Sequence, residues 1–564
     1  MPRTDHRQPR YQMSAQLKPK PAQFHVFDTT LRDGSQQEGL NLSVPDKLAI
    51  AALLDELGVS FIEGGWPGAN PGDTAFFTAM ANGQLRLKNA ELVAFGFTRR
   101  VGMKAADDPL TAAVRDSGAP VACIVAKSHD RHVELALRTT LRENLDMITD
   151  TVSHLRAQGQ RVFVDCEHFF DGFRRNRAYA LEAVQTAAEA GAEVAVLCDT
   201  NGGMLPSWVS DIVGEVAQVG VPLGIHCHND TGCAVANTLA AVDSGAMHVQ
   251  GTINGYGERT GNADLVSVIA NLELKYGWPL LPAGALREAT RLSHAIAEVT
   301  NVPPSARQPY VGLSSFAHKA GLHASAIKVD ANLYQHIDPV EVGNDMRMLV
   351  SDMAGRANIQ IKGGQLGFDL SDRELAARIT EKVKDAEAAG YTYEAADASF
   401  ELLLRRELGQ LPEYFSVQSW RVFTQGHPAP FDLGTGGETD TECTVRLTAK
   451  GESQRVVGEG NGPVNALDHA VRNALTPAYP VVEKFELIDY RVRILDQGHG
   501  TDATVRVLIQ TTDGLRAWTT VGVGQNIVEA SWEALSDAYL YGLIHADDPV
   551  VLDQRDLPPL TLPV

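Results

Sequence analysis

The first half of the chain alternates between short apolar runs and longer segments with helical periodicity. Eight apolar runs follow one another at regular intervals: FHVFD (24–28), VSFIE (59–63), ELVAF (91–95), VACIVA (121–126), RVFVD (161–165), EVAVL (193–197), PLGIHCH (222–228) and HVQGTI (248–253). Segments between them, such as PDKLAIAALLDELG, carry Leu and Ala at helical spacing and end in a glycine that can cap a helix. Eight strand–helix units predict an α/β fold, a (β/α)8 or TIM barrel over residues 23–282, with its active site at the C-terminal ends of the strands. A doubly wound open sheet shares this alternation and is the alternative, although no GxGxxG motif follows the first run.

The pattern changes twice in the second half of the chain. Residues 283–405 are mostly helical, as in DRELAARITEKVKDAEAAG, and predict helical linker subdomains. Residues 406–564 contain an internal repeat, in which ECTVRLTAKGESQRVVGEG is echoed by DATVRVLIQTTDGLRAWTTVGVG and an amphipathic helix follows each copy. We therefore predict a C-terminal α+β regulatory and dimerisation domain of two ββα repeats. The polar, basic residues 1–22 predict a disordered arm.

Composition and charge restrict the classes of function. The 564-residue chain is 44% hydrophobic and 21% charged, with no apolar run long enough to cross a bilayer and no apolar stretch near its N-terminus. We expect no membrane partner and a cytoplasmic location. Six cysteines without CxxC spacing fit a reducing compartment better than a zinc finger or a disulfide framework. A net charge of −21 disfavours a nucleic-acid partner, because phosphate contacts need a local surplus of Lys and Arg.

Polar side chains with metal-binding chemistry lie where the first and seventh runs end. Arg32 and Asp33 come just after the first run, and the seventh ends in GIHCHND. His226 and His228 are two residues apart, so on an extended strand both imidazoles point to the same side. Two imidazoles and the Asp33 carboxylate, with open positions for water or substrate, predict a site for a divalent cation such as Mn, Mg, Zn or Co.

The segment after the eighth run, GTINGYGERTGNADL, is rich in glycine and carries a further candidate metal ligand. Its glycines would let the backbone approach a ligand closely, and Asn262 could reach the metal or its waters. A glycine-rich loop that only reverses the chain is an equally good interpretation of this segment alone.

Three of these segments together resemble a known enzyme family. FDTTLRDGSQQEG, HCHND and NGYGERTGN resemble the family of alpha-isopropylmalate, homocitrate and citramalate synthases, which also includes hydroxymethylglutaryl-CoA lyase. The resemblance extends over almost the whole chain after the N-terminal arm. Within the family, FIEGGWPGANPGD, DCEHFFDGF and SSFAHKAGLHASA are most similar to the citramalate synthase branch.

The resemblance implies a reaction and assigns roles to residues. Such a synthase joins the methyl carbon of acetyl-CoA to the ketone of a 2-oxo acid and then hydrolyses the thioester to release CoA. The metal would bind the 2-oxo acid as a Lewis acid, and Arg32 would stabilise the negative charge that develops on the ketone oxygen. Gln36 would fix a metal-bound water, and Thr200 would bind the substrate carboxylate. Glu167 is the expected general base, with His323 as the second choice.

The same resemblance implies substrates and regulation. It implies pyruvate as the 2-oxo acid, acetyl-CoA as the co-substrate, and citramalate made for isoleucine synthesis. The repeated C-terminal domain implies a homodimer and isoleucine as an inhibitor. Several relatives carry a tyrosine after the VG of the helical region, whereas Asn344 stands here, so no role for that tyrosine is carried over. The alternatives are a synthase for 2-isopropylmalate or homocitrate, and a catalytically silent sensor that only binds metabolites.

Overall fold

A computed structural model of the chain describes residues 19–327, 329–350, 355–426, 439–495 and 503–546. The residues group into two compact units. The first contains Met1–Phe316 and Ile337–Asp345, and the second contains Ala317–His336 and Met346–Val564. The predicted domain boundaries at residues 282 and 405 do not coincide with the limits of these units, and they stay predictions. Most of the predicted N-terminal arm lies outside the described residues.

The first unit is built around a closed barrel of eight parallel strands in chain order. The strands are β1 (His25–Asp28), β2 (Phe61–Glu63), β3 (Glu91–Phe97), β4 (Val121–Lys127), β5 (Arg161–Glu167), β6 (Val194–Asp199), β7 (Leu223–Cys227) and β8 (His248–Gly251). The barrel closes because β8 pairs with β1, with Gln250 opposite Phe27. The predicted (β/α)8 barrel is therefore confirmed, and the open-sheet alternative is wrong.

Helices connect the strands and cover the barrel. They are α1 (Val44–Leu57), α2 (Pro71–Ala81), α3 (Pro109–Arg115), α4 (Leu141–Ala157), α5 (Phe169–Arg175), α6 (Arg177–Glu189), α7 (Pro206–Val216), α8 (Ala234–Asp243), α9 (Leu265–Leu274) and α10 (Ala289–Thr300). Helix α1 shows why the sequence forms these elements. Ser43 and Asp46 make a capping box at its start, and Gly58 ends it in a left-handed conformation.

The lumen of the barrel is packed with side chains. Phe27, Phe61 and Phe163 fill its N-terminal part together with the rings of His25 and His248. The larger apolar core lies between the strands and the surrounding helices. Because the lumen is closed at this end, only the C-terminal ends of the strands are left to form a site, as in other barrels of this type.

The second unit contains a helical part and the C-terminal repeat. The helical part comprises β9 (Ala317–His318), α11 (Gly321–Ile327), β10 (Arg347–Met348), α12 (Arg356–Gln365), α13 (Arg373–Ala388) and α14 (Asp397–Glu407). The repeat comprises β11 (Phe415–Gly426), β12 (Thr439–Ala449), β13 (Glu452–Gly460), α15 (Pro463–Leu475), β14 (Glu486–Ile494), β15 (Val505–Thr512), β16 (Ala517–Gly524) and α16 (Ile527–Ile544). Both predicted ββα repeats are present, and a further strand precedes each of them to complete a three-stranded antiparallel sheet. No helix in the described ranges has the length and apolarity needed to span a membrane.

Candidate active site and metal centre

The turn after β1 holds the first two site residues in place. The Asp28 carboxylate is buried and accepts hydrogen bonds from the backbone N–H of Thr30 (2.8 Å) and from its hydroxyl (2.9 Å). The N–H of Gly34 donates to the carbonyl of Thr29 at 3.0 Å. These bonds fix a tight turn, which places Arg32 and Asp33 at the C-terminal end of the barrel.

Asp33, His226 and His228 come together as the sequence predicts. One ligand atom from each lies within 4.8 Å of the other two, and all three residues are buried. Asp33 Oδ2 is 3.2 Å from His226 Nε2 and 3.5 Å from His228 Nε2. One carboxylate oxygen and two imidazole nitrogens that lie this close could hold a divalent metal ion and leave coordination positions open.

The glycine-rich loop supplies Asn262, the candidate for a fourth ligand. Asn262 pairs with His228 through an isolated β-bridge, and its Nδ2 donates to the carbonyl of Tyr256 at 3.0 Å. Its Oδ1 is buried and has no hydrogen-bond partner. Gly261 has a φ of +88°, and a Cβ there would lie 1.9 Å from the carbonyl oxygen of Gly255, so the loop requires glycine. A buried amide oxygen without a partner, on the residue paired with His228, fits a metal ligand, and the role of Asn262 as a ligand stays a prediction.

The electrostatics of the centre favour a bound cation. Burial alone would raise the pKa of Asp33, but the charges of Arg32 and His226 hold that pKa well below its usual range. Burial and the neighbouring His226 lower the pKa of His228 to about 4. Asp33 is therefore an anion and His228 a neutral imidazole, which are the states that a metal binds.

Arg32 is held by a residue that the sequence reasoning missed. Its Nε donates to Glu63 Oε2 at 2.6 Å, and one Nη donates to Asp33 Oδ1 at 3.1 Å. Its guanidinium carbon lies 4.0 Å from the centre of the Phe95 ring. Glu63 ends β2 and is fully buried, so it can fix the direction of the guanidinium N–H groups. The detectable signal was an acidic residue that ends an apolar run.

Glu167 and Thr200 lie at the ends of adjacent strands. Glu167 ends β5 and forms an ion pair with Lys127, which ends β4. The Thr200 hydroxyl accepts a hydrogen bond of 2.9 Å from the N–H of His168, the residue after Glu167. Both residues thus belong to the C-terminal end of the barrel, and their roles as base and carboxylate ligand stay predictions.

Two further predicted residues are less constrained by the structure. Gln36 ends a short 3-10 turn after Asp33 and is exposed, so its role in fixing a water stays a prediction. His323 lies in α11 of the second unit, where its ring stacks on Tyr334 at 4.1 Å between centroids. Its catalytic role also stays a prediction.

Buried polar residues below the centre form a network that sequence reasoning also missed. Ligand-type atoms of Glu63, Cys123 and Asp165 lie within 4.8 Å of one another. Asp165 Oδ1 accepts a hydrogen bond of 3.0 Å from Gln250 Nε2, and Gln250 Oε1 accepts one of 2.9 Å from His226 Nδ1. Burial raises the pKa of Asp165, against the opposing charges of His226 and Arg32. The candidate metal ligand His226 is therefore hydrogen-bonded to a chain of buried side chains inside the lumen.

Comparison with known proteins agrees with this arrangement. The family model described as HMGL-like matches residues 23–295, which include the barrel and this centre. The models described as homocitrate synthase post-HMGL domain-like and LeuA allosteric (dimerisation) domain match residues 310–390 and 394–543. The fold and centre are thus those of an HMGL-like barrel enzyme.

Relatives that match over almost the full length make the assignment narrower. The chain is 65% identical to an (R)-citramalate synthase of Streptomyces coelicolor, over 93% of this chain and 97% of that protein. It is 46% identical to the (R)-citramalate synthase of Aquifex aeolicus, over 94% of this chain and 99% of that protein. It is 33% identical to a probable 2-isopropylmalate synthase of Methanopyrus kandleri, over 91% of this chain and 97% of that protein. The chain belongs to the (R)-citramalate synthase family.

Proposed function

We propose that the protein condenses acetyl-CoA with pyruvate and hydrolyses the thioester, releasing (R)-citramalate and CoA. The observation that carries the proposal is the convergence of Asp33, His226 and His228 beside the Arg32 guanidinium at the open end of the barrel. Family membership supports the same reaction. A site with an ordered guanidinium next to a metal centre is organised for turnover, which argues against a sensor that only binds metabolites.

The residues of the site divide the chemistry between them. A divalent ion bound by Asp33, His226 and His228 would supply Lewis acidity toward the ketone and carboxylate of the 2-oxo acid. Arg32, fixed by Glu63, donates hydrogen bonds to the oxygen that becomes negative when the new carbon–carbon bond forms. Because these donors are fixed before the substrate binds, little reorganisation is needed at the moment of reaction.

A base must remove a proton from the methyl group of acetyl-CoA. Glu167 is the proposed base, because it ends β5 at the open end of the barrel, where its carboxylate is paired with Lys127. Thr200, which is linked to the same loop through His168, is proposed to bind the substrate carboxylate. Gln36 is proposed to fix a metal-bound water, and His323 remains the alternative base.

The test measures CoA release with a thiol reagent from acetyl-CoA and a panel of 2-oxo acids. The protein is first freed of metal with a chelator and then supplied with Mn²⁺, Mg²⁺, Zn²⁺ or Co²⁺. We expect no turnover without metal, recovery with at least one ion, and a preference for pyruvate. A preference for 2-oxoisovalerate or 2-oxoglutarate would refute pyruvate as the substrate. Absence of CoA release with every acid and ion would refute the synthase.

The C-terminal domain is proposed to make the enzyme a homodimer and to bind isoleucine as an inhibitor. The supporting observation is the match of residues 394–543 to an allosteric (dimerisation) domain. Isoleucine should lower the initial rate in a saturable way, while D-isoleucine at equal concentration should not. Light scattering should give twice the mass of the 60.8 kDa chain. A rate independent of isoleucine would remove the regulatory proposal and leave the catalytic one intact.

A cytoplasmic location completes the proposal. All six cysteines are free, and five of them are buried, as expected of a chain kept in a reducing compartment.

A further inference from the structure

The two histidines of the metal centre have different environments behind their rings. His226 Nδ1 lies 2.9 Å from Gln250 Oε1. His228 Nδ1 is buried and has no hydrogen-bond partner. An amide oxygen can only accept, so Nδ1 of His226 must carry a hydrogen, and Nε2, which lies 3.2 Å from Asp33 Oδ2, is the nitrogen left for the metal.

The direction of the Gln250 amide is fixed in turn from across the lumen. Gln250 lies on β8 and Asp165 on β5, so the bond between them crosses the interior of the barrel. Gln250 Nε2 donates to Asp165 Oδ1 at 3.0 Å. Because this bond commits the NH₂ group to a carboxylate, the oxygen end of the amide has to face His226. A rotated amide would place its NH₂ group against His226 Nδ1 and favour the other tautomer.

We propose that Asp165 and Gln250 are positioning residues that hold His226 in the tautomer with Nδ1–H and thereby set the metal affinity of the centre. This inference rests on the metal centre of the proposed function. The chain Asp165–Gln250–His226 fixes both the ring orientation and the free nitrogen of one ligand before the metal arrives. Such hydrogen bonds behind a metal-binding histidine orient the ligand and raise its basicity, and their loss costs about 10- to 100-fold in affinity.

The packing of the three residues supports a fixed arrangement. Gln250 is 0% exposed, Asp165 is 3% exposed and His226 is 5% exposed. No water-filled space is needed to complete the chain of bonds, because each polar atom in it has a protein partner. The amide also cannot leave the lumen, since Gln250 pairs in register with His226 on one side and Phe27 on the other.

The test compares Mn²⁺ binding by three variants of the full chain at one fixed pH. Gln250→Met keeps the length of the side chain and removes the acceptor. Gln250→Glu combined with Asp165→Asn exchanges carboxylate and amide, so that residue 250 still accepts from His226 and residue 165 donates. Gln160→Met is the matched control, because Gln160 is also a buried barrel glutamine but bonds only to the carbonyls of Val114 and Ala119.

The apparent Kd is measured from free Mn²⁺ by electron paramagnetic resonance, and the melting temperature of each metal-free variant is recorded beside it. We expect Gln250→Met to weaken Mn²⁺ binding by about 10- to 100-fold, with the exchange variant close to the wild type and Gln160→Met unchanged. Histidine ¹⁵N NMR of the Zn²⁺-loaded wild type should show the hydrogen of His226 on Nδ1. If Gln250 had a purely structural role, Gln250→Met would lower the melting temperature, but the Kd for Mn²⁺ would not weaken in Gln250→Met and recover in the exchange variant.

Two outcomes would overturn the inference. The first is a Gln250→Met protein that binds Mn²⁺ as tightly as the wild type, and the second is an exchange variant no tighter than Gln250→Met. If Gln250→Met does not fold, a His226 signal with its hydrogen on Nε2 overturns it. Wild-type protein that turns over pyruvate while Gln250→Met binds normally refutes the positioning role alone. Wild-type protein that binds no Mn²⁺ refutes the metal centre and the proposed function with it.

Discussion

The pair of histidines at the closed end of the barrel should make the first unit sensitive to acid. His248 Nδ1 lies 3.4 Å from His25 Nδ1, and the His248 ring is packed among Phe27, Phe61 and Phe163. Burial, followed by the nearby charges of His25, His226 and Arg161, lowers the pKa of His248 well below 6.5. The folded barrel therefore keeps this ring neutral, whereas the unfolded chain binds a proton to it below about pH 6.5.

The sign and size of the effect follow from proton linkage. Because the unfolded state binds more protons below the unfolded pKa, stability falls as the pH falls, until the folded pKa is reached. One such group costs about 1 kcal/mol between pH 6.5 and 5.5, and about 1.4 kcal/mol for each further unit. His248→Leu removes this term, because leucine does not titrate. The variant should lose about 1 kcal/mol less than the wild type over that interval, which corresponds to about 2 °C in melting temperature.

Both proteins are melted in a calorimeter across this pH range at a constant metal concentration. The quantity compared is the difference between their melting temperatures at each pH. His25 loses its contact with His248 in the variant but keeps its charged neighbours in both proteins, the Arg161 guanidinium and the carboxylates of Glu91 and Glu193, so the contributions of these groups largely cancel. Gln160→Leu is the control, since it removes buried hydrogen bonds without removing a titrating group. A difference between His248→Leu and wild type that stays constant from pH 8 to 5.5 would refute the argument.

Three further predictions concern the site and the repeat domain. Burial raises the pKa of Glu63 to about 7, so at pH 8 its carboxylate is charged and pairs with Arg32. Glu63→Gln keeps the shape but removes that charge, and at pH 8 it should lower kcat for CoA release about tenfold or more. An unchanged kcat would contradict the role given to Glu63. Gly261→Ala should destabilise the barrel by at least about 2 kcal/mol more than Gly39→Ala, because both have positive φ but only Gly261 meets backbone, and equal melting temperatures would disprove this. Tyr539→Phe removes the buried hydroxyl that donates to Asp468 Oδ1 at 2.7 Å, and it should cost about 1–2 kcal/mol in the unfolding of the second unit, measured by denaturant titration; a cost near zero would contradict it.

Much of the barrel and its metal centre could be predicted because the relevant signals are local. Strand periodicity, glycine caps and the two-residue spacing of His226 and His228 are all visible in one segment at a time. A barrel places the C-terminal ends of all its strands on one face, so Asp33 could be joined to the histidines without knowing the distance between them. The prediction needed only the topology, which the alternation of runs supplied.

The strands that open each repeat could not be predicted in the same way. β11 and β14 carry exposed side chains in alternation with half-buried ones, so neither has an apolar face as clear as that of β15. β11 and β14 form strands because they pair with β12 and β15, and not because of their local composition. Sequence reasoning without the partner strand therefore found only the last two strands of each sheet.

The polar network in the lumen was missed for a related reason. On β2, β5 and β8 the inward-facing positions are occupied in turn by a ring and then, two residues later, by a polar group: Phe61 and Glu63, Phe163 and Asp165, His248 and Gln250. A single polar residue at or near the end of an apolar run is interpreted as the edge of a strand when each strand is considered alone. In the closed barrel the same three residues meet on one level, where all are buried and each makes at least one side-chain hydrogen bond.

These buried bonds connect the aromatic level at the closed end of the barrel to the candidate site at its open end. The level below is aromatic, so Glu63 Oε2 is paired with Arg32 above it, and Asp165 is bonded to Gln250 and Cys123 beside it. These bonds orient the Arg32 guanidinium and the His226 ring, so that their remaining nitrogens face the open end of the barrel. Burial of these charges is costly and is offset by the bonds between them, so loss of one partner should disturb the metal centre even where the fold survives. The positions that a sequence reading treats as strand ends are therefore the ones that orient the site.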